Sequence, residues 1–184
     1  MITSAGIALG VLMLTRVLPA AGTVDTCEQR VPASLKRLID TKFPGFRLPR
    51  LSDQDADITK TPRRSGCLII ARGDFDGDGR QDIALLLVGA KLNAVRLVAA
   101  LRRDTSWAIY PLPIWCEAIR TCYVQSEKPG LFKRTEALDM PLSSPDEREE
   151  IESRTENVLS GTLEATGIVY VYSNGKWHYV WISN

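Results

Sequence analysis

The chain predicts an α+β fold: an N-terminal amphipathic helix packed on a mainly antiparallel sheet that ends in a β-hairpin. Three observations predict it. Residues 31–43, "VPASLKRLIDTKF", place apolar side chains at helical spacing. Four short β-rich runs follow one another between residues 67 and 110, separated by turns. Near the C-terminus, "GIVYVYSNGKWHYVWIS" sets two β-rich runs around an Asn-Gly pair.

Residues 1–22, "MITSAGIALGVLMLTRVLPAAG", hold an apolar run too short to span a bilayer, then Pro19 and the small residues Ala20, Ala21 and Gly22. This reads as an export signal cut after Gly22, with Ala21 or Ala20 as alternative cut points. The absence of Lys or Arg before the run, and Arg16 near its end, run against the usual pattern. The expectation is a periplasmic or secreted protein whose mature part, residues 23–184, is one globular domain with no stable membrane span. A chain of 184 residues is long enough to bury a core unaided.

Of the 23 Lys and Arg only Arg16 lies in the removed segment, so the mature chain balances 22 basic against 22 acidic residues. A neutral chain without a basic block exerts no long-range pull on nucleic acid or anionic lipid, so no nucleic-acid partner is expected.

In residues 31–43, Val31, Leu35, Leu38 and Ile39 form one stripe, Pro32 suits a first helical turn, and Pro44-Gly45 ends the helix. Residues 46–66 are rich in Pro, Asp, Arg and Ser and read as irregular, with room for one short strand. The runs 67–71, 83–88, 94–101 and 106–110 then read as strands of a meander, neighbours antiparallel. "IALLLV" at 83–88 is apolar at every position, which fits a central strand buried on both faces. Residues 111–134 follow no clear period. Residues 143–157 are mostly charged and fit either a short helix capped by Ser144, with Pro145 at its first position, or a solvated loop.

In the last hairpin a two-residue turn pairs Ser173 with Lys176. Tyr172 then faces Trp177, Tyr170 faces Tyr179 and Ile168 faces Trp181, all on one side. Tyr170, Tyr172, Trp177, Tyr179 and Trp181 therefore form either half of the core or a binding face. Val169, Val171, His178 and Val180 take the other side.

The cysteines are Cys27, Cys67, Cys116 and Cys122, all in the mature part. An even count in an exported chain favours disulfides. Three pairings exist. Cys116 and Cys122 enclose only the five residues "EAIRT", which leaves Cys27 with Cys67. Four buried thiols are the alternative; zinc is disfavoured, with no Cys-x-x-Cys pair and His178 the sole histidine.

Chemistry concentrates in "RGDFDGDGRQDIALLLV", residues 72–88. A hard divalent cation needs several oxygens from a tightly curled loop. Asp74, Asp76 and Asp78 supply carboxylates at alternate positions, Gly79 permits the sharp turn, Arg80 offers its backbone carbonyl, and Asp82 closes the shell directly or through water. Leu85 stands where an EF-hand has its bidentate Glu, and strands replace the flanking helices. The expected ion is Ca²⁺, bound at on the order of 10⁻⁵ to 10⁻³ M. The bland alternative is a metal-free turn whose carboxylates cap backbone amides. Unscreened repulsion among the carboxylates favours the metal.

The stretch "DFDGDGRQD" resembles the calcium loop of FG-GAP/VCBS-type repeats, over about twenty residues. The resemblance implies Asp74, Asp76, Asp78, the Arg80 carbonyl and Asp82 as ligands. It does not imply a propeller, which needs several four-stranded blades where this chain has one motif. More loosely, the loop before an apolar strand and the aromatic terminal hairpin resemble small exported bacterial proteins of unassigned role, a likeness that carries no activity.

No catalytic residue is assigned. His178 stands beside aromatics without a partner motif, and no nucleophile elbow or phosphate loop occurs. The expected role is a non-enzymatic module that binds a protein or glycan ligand. The alternatives are a periplasmic inhibitor or immunity protein against a secreted toxin or hydrolase, and a calcium-dependent hydrolase.

Overall fold

The computed structural model describes residues 27–55, 67–90, 94–116, 118–163, 165 and 167–182. The expected export signal, residues 1–22, lies outside them. The described residues form a mostly-β fold of antiparallel sheets with one α-helix and no closed barrel. No described helix is long and apolar enough to cross a membrane.

The helix α1 (Ala33–Lys42) buries Leu35 and Ile39, four residues apart on one face. It stops where Phe43 leaves helical geometry and Gly45 takes a φ of 87°. Its start is pinned from the sheet: Trp107 Nε1 donates to Ser34 Oγ at 3.1 Å.

The first sheet is built on β3 (Asp82–Gly89), whose residues from Asp82 to Leu87 are all buried. Along one edge of β3 lie β1 (Phe46–Arg47) and β2 (Ile70–Gly73); along the other come β4 (Val95–Arg103) and then β5 (Ser106–Leu112). Every pair is antiparallel. The sequence run stops at residue 110, but β5 continues through Pro111 to Leu112. It pairs only with β4, and an edge strand tolerates a residue without an N–H.

The second sheet runs β11 (Lys176–Ile182), β10 (Gly167–Ser173), β9 (Asn157–Thr162), β6 (Cys122–Glu127). The register between β10 and β11 pairs Tyr172 with Trp177, Tyr170 with Tyr179 and Ile168 with Trp181. Asn174 and Gly175 turn the chain at φ 51° and 79°, as a primed two-residue turn demands. A core containing Ile168, Tyr170 and Tyr179 packs against the first sheet. On the opposite face Val169, Val171 and Val180 meet Leu159 and Tyr123, with Phe132 of β7 (Gly130–Lys133) and Ile151 of β8 (Glu150–Ser153) against them. The approach to β2 is also tied to β6 through backbone, where Val124 N donates to Leu68 O at 2.7 Å.

Residues 143–157 are neither the short helix nor the solvated loop that their charge suggests. Residues 150–153 form β8, and residues 146–148 run alongside β11, where Tyr179 N donates to Asp146 O, Arg148 N to Tyr179 O, and Glu147 bridges to Tyr179 in parallel. This segment covers the free edge of the sheet. Glu147 is only 1% exposed. Its carboxylate accepts from Ser143 N and Oγ, both at 2.7 Å, and lies 3.3 Å from Arg134 Nε. Burial alone would raise that carboxyl; the Ser143 hydrogen bonds and the Arg134 charge carry it below the usual range.

Two disulfides close the domain. Cys27–Cys67 ties the segment before α1 to the approach to β2, and Cys116–Cys122 joins the β5–β6 connection to the first residue of β6.

Candidate metal centre

The loop between β2 and β3 is closed by the Gly73–Asp82 pair. Inside it, side chains of the loop bind the loop's own amides. Asp74 Oδ1 accepts from Gly77 N at 2.9 Å and Asp78 N at 3.0 Å, and Asp74 Oδ2 accepts from Gly79 N at 2.9 Å. Asp78 Oδ1 accepts from Arg80 N at 2.9 Å. The curl needs positive φ at two positions, and both are glycine: Gly77 at 76° and Gly79 at 80°. Only Gly79 stands out from the sequence pattern; Gly77 bends the loop as sharply.

This curl brings carboxylate oxygens of Asp74, Asp76 and Asp78 within 4.8 Å of one another. An ion bonded to each at about 2.4 Å requires no wider spacing, and the donors are hard oxygens, so the group fits a hard divalent cation. Asp74 Oδ1 spends both lone pairs on amides, whereas Asp74 Oδ2 and Asp78 Oδ1 each accept one amide and keep a second lone pair.

Asp82 does not join the triad. Asp82 is the first residue of β3 and is fully buried. Its Oδ2 accepts from Phe75 N at 2.9 Å and its Oδ1 from Arg102 N at 2.7 Å. It staples the loop to the end of β4. Burial pushes its carboxyl up to about 6 against those two hydrogen bonds, and the charges of Asp76 and Asp78 add to the rise. Arg80 turns its guanidinium away, 2.7 Å from Asp104 Oδ1.

Three contacts to this loop have no local signature in the sequence. Arg103, at the end of β4, contacts Asp76 Oδ2 with Nη1, which is also 3.6 Å from Asp78 Oδ2. Glu156 Oε2 accepts from Asp74 N at 2.8 Å, and its Oε1 accepts from Ser126 Oγ at 3.0 Å. Thr155 Oγ1 donates to Phe75 O at 3.1 Å. Phe75 itself is fully buried, edge-on to Trp177 with centroids 6.4 Å apart. The loop is thereby fastened to both sheets.

The aromatic side of the terminal hairpin divides. Tyr170 and Tyr179 are buried in the main core, which removes them from any binding face. Burial raises the Tyr170 hydroxyl well above its usual range, and that hydroxyl donates to Pro113 O at 2.6 Å. Tyr172, Trp177 and Trp181 are partly buried against that core. Trp181 and Trp115, the latter 45% exposed, line a pocket of about 310 Å³ with no charged residue in its wall among the described residues. His178 Nδ1 accepts from Arg148 Nη2 at 2.8 Å; since a guanidinium only donates, the ring proton sits on Nε2. Burial, then the Arg148 charge, lowers the His178 pKa.

No family model, curated protein or solved structure matches the chain.

Proposed function

We propose that the protein is an exported, non-enzymatic binding module whose β2–β3 loop takes one calcium ion as a structural staple. The observation that carries the calcium part is the convergence of Asp74, Asp76 and Asp78 oxygens within 4.8 Å of one another. Those three carboxylates would hold the ion; waters complete its shell. When bound, calcium supplies charge and fixes the curl. The chain's own residues transmit that order: Glu156, Thr155 and Phe75 couple the loop to the second sheet, and Asp82 couples it to β4. The local likeness of the loop to FG-GAP/VCBS calcium loops supports the same ion.

Export is supported by the two disulfides, which are compatible with an oxidising compartment. The module reading is supported by the exposed Trp115 beside a pocket whose described lining carries no charge, and by His178 being held by Arg148 as a structural acceptor. Calorimetric titration of metal-free protein with Ca²⁺ and Mg²⁺ tests the ion: one site with a Kd between about 10⁻⁵ and 10⁻³ M for Ca²⁺, and weaker Mg²⁺, is expected. No calcium heat, and no stabilisation by millimolar calcium, removes the claim. Affinity capture from periplasmic extract tests the module, with one stoichiometric protein or glycan ligand as the expected result. Turnover of a hydrolysable substrate by the purified protein would replace it with the hydrolase reading.

A further inference from the structure

The pleat of the first sheet gathers arginines at one end of the face that carries α1. Paired residues share a face, as do residues two apart on a strand. Arg72 pairs with Ile83, Ile83 with Ala100, and Arg102, two residues beyond Ala100, pairs with Trp107. Together with Arg80 and Asp104 from the adjoining turns, these residues line an open depression of about 510 Å³. Its floor is apolar, made by the buried Ile83 and Trp107, and its rim is charged.

Among the described residues the rim holds three guanidiniums against the single carboxylate of Asp104. Asp104 is 85% exposed and pairs with Arg80, itself 45% exposed; such a pair is weak and easily opened. Arg102 is laid over the Trp107 ring at 4.8 Å, which orients its plane. Its Nε donates to Asp104 O at 3.3 Å, and its terminal nitrogens donate to nothing among the described residues. Arg72 is anchored through Nη2 on the Arg30 carbonyl and through Nη1 on Gln81, 3.4 Å away. Oriented guanidiniums with spare N–H groups, gathered round a recess, suit a tetrahedral oxyanion, which each can grip with two parallel hydrogen bonds.

We propose that this depression is an anion site that takes a sulfate or phosphate monoester carried by a soluble ligand. A membrane surface fits poorly: the mature chain is balanced in charge, and the arginines surround a recess instead of forming a flat patch. The inference rests on the binding-module reading, for which it names a ligand chemistry; calcium plays no part in it.

The test is calorimetry on the exported, oxidised chain at low ionic strength, with a persulfated tetrasaccharide and its unsulfated parent as probes. The sulfated sugar should bind, the parent should not, and inorganic sulfate and phosphate should compete. Arg72→Gln and Arg102→Gln should each weaken binding about tenfold or more, while Lys133→Gln on β7 leaves it unchanged. In the wild type, the Trp107 indole N–H resonance should shift on titration while those of the other tryptophans hold still, a readout that needs no variant to fold. Equal binding of both sugars, wild-type affinity in both arginine variants, equal loss in Lys133→Gln, or a motionless Trp107 resonance would each overturn the site. Arginine-dependent binding to phosphatidylglycerol vesicles without binding of the sugar would overturn the soluble ligand. Should the site fail while capture still recovers a stoichiometric partner, the module reading survives by itself.

Discussion

Removing the Arg103 guanidinium should make the protein more dependent on calcium. Arg103 Nη1 contacts Asp76 Oδ2 and is 3.6 Å from Asp78 Oδ2. The Asp76 side chain is only 6% exposed, so it relies on that counter-charge when no ion is bound. Arg103 is 37% exposed, and water screens part of the interaction. In EDTA, Arg103→Gln should therefore cost about 1–2 kcal/mol, the lower part of the range for a charged hydrogen bond. With calcium bound, the ion supplies the positive charge and the cost should fall below about 1 kcal/mol. Calcium binds the folded loop and not the unfolded chain. At 100-fold over Kd it should stabilise the wild type by about 2.7 kcal/mol, or roughly 5–11 °C in Tm for a chain of this size. Arg103→Gln should show a shift larger by a few degrees, and Asp76→Ala should show none while remaining folded on the Leu85–Leu87 core. The assay is thermal melting of all three proteins in EDTA and in millimolar calcium, with magnesium as the weaker comparison. A wild-type Tm that ignores calcium would refute the structural ion. An Arg103→Gln deficit of equal size in EDTA and in calcium would refute the idea that guanidinium and ion neutralise the same carboxylates.

Three further outcomes are expected. Asp82→Asn should weaken calcium less than tenfold in calorimetry, because its oxygens serve Phe75 N and Arg102 N; complete loss of binding would return Asp82 to the ligand set. Glu147→Ala should cost about 3 kcal/mol in urea denaturation at neutral pH, since it leaves the nearly buried Arg134 only the exposed Glu149 carboxylate at 3.7 Å, and Arg134→Met in the same chain should recover most of that loss. Because the folded Glu147 pKa lies below its unfolded value, its contribution is present above the unfolded pKa near 4.5 and disappears as pH falls through the folded one. The Glu147→Ala deficit should therefore shrink on acidification, and a constant deficit would contradict the ion pair. Tyr170→Phe should lose about 1–2 kcal/mol, measured the same way, by leaving Pro113 O without its 2.6 Å donor; no loss would show that water replaces the hydroxyl.

What the chain determined by itself is what depends on near neighbours. Apolar spacing marked α1, the unbroken apolar run marked β3 as a central strand, and Asn174-Gly175 set the β10–β11 register, because helical and hairpin geometry are decided within a few residues. The inward turn of Asp74, Asp76 and Asp78 is local in the same sense: their acceptors serve amides two to five residues away. Only the tertiary structure decided what those groups meet. Loop spacing made Asp82 a ligand, but the chain brings it to the start of a strand buried on both faces. There two amides, seven and twenty residues away, take its oxygens. Arg103 and Glu156 reach the loop across 27 and 82 residues, and no local pattern encodes such a contact. The charged stretch 143–157 looked solvated because charge normally seeks water. Packing along β11 instead buries Glu147, and does so only because Arg134 and Ser143 arrive to satisfy it. Tyr170 and Tyr179 became core for the same kind of reason: a hairpin face is apolar in the sequence, and the sheet packed against it determines whether that face meets water.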